Sequence, residues 1–307
     1  MSVFPLGRRR QRLHDASPPA LVLEDDWSRP SVRWGLGTAH TVLLVLLVII
    51  GLGPILWLAK SAITPTQDTL ATPLALFPHG FAWSNLTDAW NTIDIGLYMW
   101  NTIVLAFGSL IAQIVVATTG AYALSALRPK FGGVIMALLL TTLFVPPVVL
   151  LVPLYVEIVH PPLIDHSFVN NYFAIWLPEA ASAFNVVLMK RFFDNLPREI
   201  FEAARIDGCG SFRLFFSIVL PMSRPILGVV SIFAVLASWK DYLWPLLVLG
   251  NTNLQPLSVR LYAIEDFTPL GYFLAAMLIT CIVPIIGFLV FQRGFLRGTG
   301  LSGALKG

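Results

Sequence analysis

Long apolar runs, separated by polar or proline-bearing segments, dominate the chain at positions 34–59, 98–124, 133–157, 172–189, 225–249 and 271–291. A helix needs about 20 mainly apolar residues to cross a bilayer. Only a segment that satisfies its own backbone hydrogen bonds is stable in hydrocarbon. The pattern therefore predicts an all-α, polytopic helical membrane protein with about six transmembrane helices. The first run is too long for a cleavable signal peptide, follows a polar tail of more than 30 residues and lacks a small-residue cleavage site. It is expected to persist as a signal anchor.

The segments between the runs differ in character. Residues 1–33 carry Pro5, Pro18, Pro19 and Pro30 among mixed charges without an apolar period, which reads as a mobile tail. Residues 34–291 form the transmembrane domain, with a long polar loop at 190–224, and residues 292–307 form a second tail. The loop at 60–97 combines Pro65, Pro73 and Pro78 with Phe77, Phe81 and Trp83, the composition of a partly ordered cap at a membrane interface. Prolines recur in or near the runs, at Pro54, Pro146, Pro147, Pro153, Pro178, Pro245 and Pro284. Each leaves a carbonyl without its helical donor, which suits kinked helices around a gated pathway and an irregular bundle equally.

Composition agrees: 56% of residues are hydrophobic and 12% charged, with mean hydropathy +0.76, against roughly 25% charged in soluble domains. With the N-terminus inside, 17 of the 20 Lys and Arg residues fall on the inner side, in the N-terminal tail, after the second run, in the 190–224 loop and in the C-terminal tail. Only Lys60 and Arg260 fall opposite, and Lys240 lies within the fifth run. Cytoplasmic segments collect such residues, so both termini are expected in the cytoplasm. The net charge of +3 is then a topology signal, and no nucleic-acid partner is implied. Cys209 and Cys281 fall in a loop and a span, an unsuitable pair for a disulfide.

The 190–224 loop is longer than a connection requires. Asp194 or Asn195 can cap a helix, Pro197 suits its first turn, and Glu199 and Glu202 lie where the helix dipole favours negative charge. Gly208 supplies a C-terminal stop. Ile200, Ala203, Ala204 and Asp207 then share a face of small side chains that a partner can approach closely. Ser211 can start a second short helix with Phe212, Phe215, Phe216 and Ile218 as its apolar side.

Glu202, Ala203, Ala204, Gly208, Ile218, Leu220 and Pro221, at their fixed spacings, resemble the EAA loop of ATP-binding-cassette (ABC) importer permeases at every defining position. Arg191-Phe192-Phe193, Leu196-Pro197 and the 239–249 stretch are similar to the maltose-type carbohydrate-importer branch, and the resemblance extends over residues 35–307. The tail from Gly298 to Gly307 resembles the glycine-rich C-terminus of the second permease of that branch, which reaches between two ATPase subunits. The resemblance implies a bacterial or archaeal plasma-membrane permease subunit that carries a di- or oligosaccharide. Its implied partners are a second, different permease, two ABC ATPase subunits, an extracytoplasmic sugar-binding protein and membrane lipid. It further implies that the helix from Glu202 through Asp207 to Gly208 docks in a groove of the ATPase. No G-x-x-x-x-G-K-[ST] pattern occurs. The chain is therefore expected to have no catalytic residues and no cofactor, with ATP and Mg held by the partner ATPase.

Trp239, Lys240, Asp241, Tyr242 and Trp244 are the candidate pathway residues, because charges inside a membrane face protein or water. Carbohydrate permeases of this type usually carry Asn at the position of Lys240. A lysine there either favours an anionic cargo, such as a sugar phosphate or glycerol phosphate, or pairs with a carboxylate such as Glu179 or one on the second permease; pairing is the favoured reading. The aromatic residues can stack on a sugar or pack between helices. His160, Asp165 and His166 match no metal-site spacing and are expected to be solvated. An ion-coupled secondary transporter would show mid-span acids and internal repeats, and a membrane enzyme would show H-E-x-x-H or G-x-S-x-G; none of these stands out.

Overall fold

A computed structural model describes residues 30–77, 79–162 and 164–299, with side-chain environments for those between 34 and 290. The expectations for residues 1–29 and for the glycine-rich end from Gly300 lie outside the described residues. The chain divides into two compact units, Met1–Trp57 and Leu58–Gly307. Helix α1 (Pro30–Ala62), whose residues up to Trp57 belong to the first, shows no apolar stripe; Leu43, Leu47 and Ile50 are all exposed. A helix apolar on every side is one built for lipid.

Among its described residues the second unit contains helices joined by turns and loops, and no strand. Short helices α2 (Thr66–Ala71) and α3 (Ser84–Ile93) lead into α4 (Ile95–Tyr122), which ends in a π-helical turn, Ala123–Leu127. Next come α5 (Gly132–Thr142), α6 (Leu151–Val159), α7 (Phe173–Ala180), α8 (Ala183–Asp194) and α9 (Arg198–Ile206). Helix α10 (Ser211–Leu214) continues through a second π turn, Phe215–Val219, into α11 (Leu220–Met222). Helices α12 (Arg224–Lys240), α13 (Leu243–Val248), α14 (Leu257–Ile264) and α15 (Leu270–Thr299) complete it.

Three of the six expected spans are single long helices: 34–62, 95–127 and 270–290. The third is bent by 104° between 132–142 and 147–159. Consecutive prolines, Pro146 and Pro147, exclude helical backbone from the residues before them. The fourth is two helices, α7 and α8. Pro178 weakens the end of α7, and the Ser182 hydroxyl accepts the Asn185 N–H (3.4 Å) to start α8 afresh. The fifth ends as a helix at Lys240 and resumes at Leu243. The sixth continues helically to Thr299, so the expected tail begins inside a helix.

Helix α4 is the centre of this unit, with α7, α8 and α12 packed along it and α15 against α12 and α3. Its inward stripe carries Asn101, Thr102, Ser109 and Gln113, all buried. Asn101 Nδ2 donates to the carbonyls of Asn253 (2.8 Å) and Gln255 (3.0 Å), Thr102 Oγ1 accepts Leu257 N–H (2.9 Å), and Gln113 Oε1 accepts Asn185 Nδ2 (2.7 Å). Where lipid cannot reward apolar burial, such bonds and close packing hold helices together. The closest approach is at Gly108, where an added Cβ would fall inside the Trp176 indole. That indole donates to the Leu105 carbonyl across the α4–α7 contact (3.1 Å).

In the 60–97 loop, Lys60 Nζ donates to the carbonyls of Pro73 (3.3 Å) and Ala75 (3.1 Å). Leu74, Leu76, Phe77, Phe81 and Trp83 are exposed, as an interfacial cap requires.

Candidate functional site

The last turn of α8 stays helical through Asp194, so that residue does not cap α9 as its sequence position suggested. Its Oδ2 accepts Lys190 Nζ (2.6 Å), one turn back on α8, and its Oδ1 accepts the Ser125 hydroxyl (2.6 Å) from the π turn after α4. Asn195 closes α8, donating from Nδ2 to Arg191 O (2.9 Å). Pro197, extended at ψ 129°, occupies the N-cap of α9 with no side-chain bond. Glu199 in the first turn and Arg205 in the last suit the helix dipole.

The end of α9 is a Schellman turn. Cys209 N–H reaches Ala204 O (2.8 Å), Gly208 N–H reaches Arg205 O (3.0 Å), and Gly208 adopts φ +71°. Glycine alone takes that conformation without strain.

Burial divides the face expected from sequence. Ala204 points into the protein's own core, among Met189, Phe193, Leu214 and Phe215, with Phe201 and Cys209 half-buried beside it. Its small side chain lets α9 lie close on α8 and α10. Glu202, Ala203, Asp207 and Ile206 face outward, Ile206 with 87% of its surface exposed. Ile206 was missed by sequence reasoning, although an apolar residue off the Phe201/Ala204 stripe signals it. On the following segment Gly210 takes the N-cap and Ser211 is the first helical residue. Phe215 is buried and Ile218 half-buried, while Phe212 and Phe216 are exposed. The π turn holds an extra residue, so its apolar positions cannot all share one face. Leu220 opens α11 at the core edge and Pro221, in its first turn, is at the surface.

A cavity of about 240 Å³ lies beside α9, lined by Ser125, Arg128, Asp194, Arg198, Glu202 and Arg205. Partial burial pushes the Asp194 carboxyl up, but hydrogen bonds from Lys190 and Ser125 and the Lys190 and Arg128 charges outweigh it and hold it below the usual carboxylate range. A carboxylate lowered on folding stabilises the structure above its unfolded pKa of about 4, and that contribution is lost as pH falls through the lower folded value. Protease access to residues 195–210 is therefore expected to stay flat from pH 8 to about 5 and to rise below about 4. Asp194→Asn is expected to make it high and independent of pH.

The candidate pathway residues gather at the break in the fifth span. Lys240 ends α12, exposed and without an ion pair among the described residues. Asp241, in extended conformation, turns its carboxylate toward the N–H groups of Trp244, Leu243 and Tyr242 at the opening of α13, and Ser258 Oγ donates to its carbonyl (2.7 Å). The two charges are therefore not neighbours on one continuous helix, as the apolar run suggested. Tyr242 packs on Tyr262 with ring centroids 5.3 Å apart, and Trp239 is half-buried against the core. Trp244 is buried, and its indole donates to Ala174 O (2.9 Å).

Glu179 does not meet Lys240. It lies with Ser109 and Ser238 where α4, α7 and α12 meet, Ser238 Oγ donating to Ser109 Oγ (3.5 Å), and its Oε2 has no hydrogen-bond partner among the described residues. Two serines on different apolar runs offered no sequence signal of this cluster.

Residues 118–298, more than half of the chain, match the family of binding-protein-dependent transport system inner membrane components. The chain is 31% identical over 276 residues to the sn-glycerol-3-phosphate transport system permease protein UgpE of Pectobacterium atrosepticum, covering 87% of this chain and 96% of that one. It is 32% identical over 284 residues to the probable ABC transporter permease protein YurM of Bacillus subtilis, covering 91% and 92% respectively. In fold it is similar to a chain of a bacterial ABC transporter involved in the import of the acidic polysaccharide alginate, with a TM-score of 0.75 at 21% identity over 86% of this chain and 98% of that one. The family match spans the end of α4, the loop around α9 and the broken fifth span, and with these relatives it shows that the chain belongs to the inner-membrane components of binding-protein-dependent transport systems, as a non-catalytic permease subunit of an ABC importer.

Proposed function

We propose that this permease forms half of the translocation pathway for a carbohydrate, a di- or oligosaccharide delivered by an external binding protein. It works beside a second, different permease and two ATPase subunits, with both termini and the 190–224 loop in the cytoplasm. The observation that carries the coupling role is the build of α9: Ala204 anchors it, Gly208 closes it, and Glu202, Ala203, Asp207 and Ile206 face outward for a partner. ATP binding closes the ATPase pair and favours one orientation of the spans; hydrolysis restores the other. Each shift requires unequal affinity for the two states.

A second reading of the cargo, a sugar phosphate or glycerol phosphate, is favoured by Lys240. A cation without an ion pair among the described residues, at the end of a helix where the dipole is negative, can receive an anion entering the break. The name of the Pectobacterium relative agrees with this chemistry.

The test is ATP hydrolysis by the reconstituted complex with its binding protein, across di- and oligosaccharides and sn-glycerol 3-phosphate. Stimulation by a neutral sugar supports the first reading. In that case Lys240→Asn is expected to leave transport of the sugar within about twofold, a surface-sized effect. Stimulation by the phosphate ester alone assigns the anion to Lys240, and Lys240→Asn is then expected to reduce its transport about tenfold or more, the scale of a lost charge-assisted bond.

A further inference from the structure

The hydrogen bonds that tie α9 to the membrane core come from one short stretch. Tyr122, the last residue of α4, donates its hydroxyl to the carbonyl of Ser211 (3.0 Å), which follows α9. Ser125, three residues on, donates its hydroxyl to the Asp194 carboxylate (2.6 Å), which precedes α9. The two bonds therefore bracket α9 on both sides. They are partly sheltered: the donors Tyr122 and Ser125 are each buried while the acceptors are exposed, and the Tyr122 ring packs on Phe215 with centroids 5.0 Å apart.

A π turn lies on each side of this joint, one holding the donor Ser125 and the other opening with Phe215, on which Tyr122 packs. Ser125 lies inside the turn Ala123–Leu127, whose end is marked by Arg128 N–H reaching back to Ala123 O (3.0 Å), and Phe215 opens the turn Phe215–Val219. A π turn carries one surplus residue and can return to α-helical register by moving it along the helix, which rotates what lies beyond. A shift of α9 that carries its flanks Asp194 and Ser211 with it thus either breaks the two bonds or turns the end of α4, the helix on which α7, α8 and α12 pack.

We propose that Tyr122 and Ser125 are the positioning residues that carry movement of α9 into α4, so that the coupling loop acts on the spans through these two side chains. The inference rests on the coupling role proposed for α9. Its test uses the full complex of both permeases, the ATPases and the binding protein in lipid nanodiscs. Two quantities are read: the ATPase copurifying with the permeases, and the ratio of binding-protein-stimulated to basal ATP hydrolysis.

Tyr122→Phe with Ser125→Val removes both hydroxyls at nearly constant volume. It is expected to retain the ATPase and to lower the stimulation ratio about fivefold, since each such bond biases an equilibrium by roughly two- to tenfold. Ser125→Thr, which keeps the hydroxyl, is expected to retain a higher ratio than Ser125→Val, a difference that a purely packing role would not give. If the double variant fails to assemble, the Ser125→Thr and Ser125→Val pair decides by the same ratio. Equal ratios in that pair, or an undiminished ratio in the double variant, overturn the inference. Glu202→Ala in the same preparation separates the two levels: if it lowers the ratio while the hydroxyl variants do not, only this inference fails. If Glu202→Ala has no effect, the coupling role of α9 fails with it.

Discussion

Gly208→Pro is expected to abolish transport-linked ATP hydrolysis while the protein still inserts in the membrane. Gly208 holds φ +71°, whereas proline is fixed near −65°. The substitution also deletes the N–H that reaches Arg205 O. The Schellman turn would unwind, and the Cys209–Ala204 bond that closes it would be lost with it. Ala204 would then leave the core position from which it anchors α9. Gly208→Ala provides the graded comparison. An added Cβ meets nothing within 4 Å, so its cost is conformational alone, about 1 kcal/mol. Copurification of the ATPase with each variant is the measurement, with wild-type recovery expected for alanine and at least a tenfold loss for proline, the consequence of a disrupted helix end worth several kcal/mol. Full recovery with proline would show that the end of α9 plays no part in docking.

The second large effect is expected at Gly108→Val, far from α9 in sequence and function. Any Cβ at this position overlaps the Trp176 indole, and the two branches of valine deepen the overlap. Either α4 and α7 separate, or the indole swings away from Leu105 O and its own N–H loses that acceptor. Overpacking of this kind costs about 1–3 kcal/mol, and an unpaired buried polar group adds about the same again. A marked fall in the midpoint of thermal unfolding in detergent is the expected result, with Trp176→Leu in the Gly108→Val background restoring part of it. An unchanged midpoint would mean that the α4–α7 contact is looser than this geometry.

Apolar runs located three spans that are single long helices and two that are bent pairs, because length and composition decide what can cross a bilayer. They did not show which spans are continuous. The Pro146-Pro147 bend, the restart at Ser182 and the halt at Lys240 each depend on one or two residues embedded in uniformly apolar sequence. Periodicity carries no sign of them. The loop around α9 was legible in outline, since Gly208, Pro197 and Glu199 are positional signals at helix ends. Its orientation was not. Whether Ala203 or Ala204 faces the core depends on where α8 and α10 lie, and two adjacent alanines do not distinguish the choices. Partnerships across the bundle were invisible for the same reason: Ser125 with Asp194 and Tyr122 with Ser211 join residues roughly 70 and 90 positions apart. Trp244 read as a stacking platform or, more commonly for its type, a packing anchor, and its bond to Ala174 O could not be foreseen from residues 70 positions apart.

The most direct test of the central claim is to reconstitute this permease with its companion permease, ATPase and binding protein, and to measure cargo-stimulated ATP hydrolysis with wild-type chain and with Glu202→Ala. The account predicts robust stimulation for the wild type and a loss of most of it for Glu202→Ala in vesicles holding equal amounts of assembled complex. Equal stimulation by the two chains, or failure of the wild-type chain to copurify with any ATPase, would contradict it.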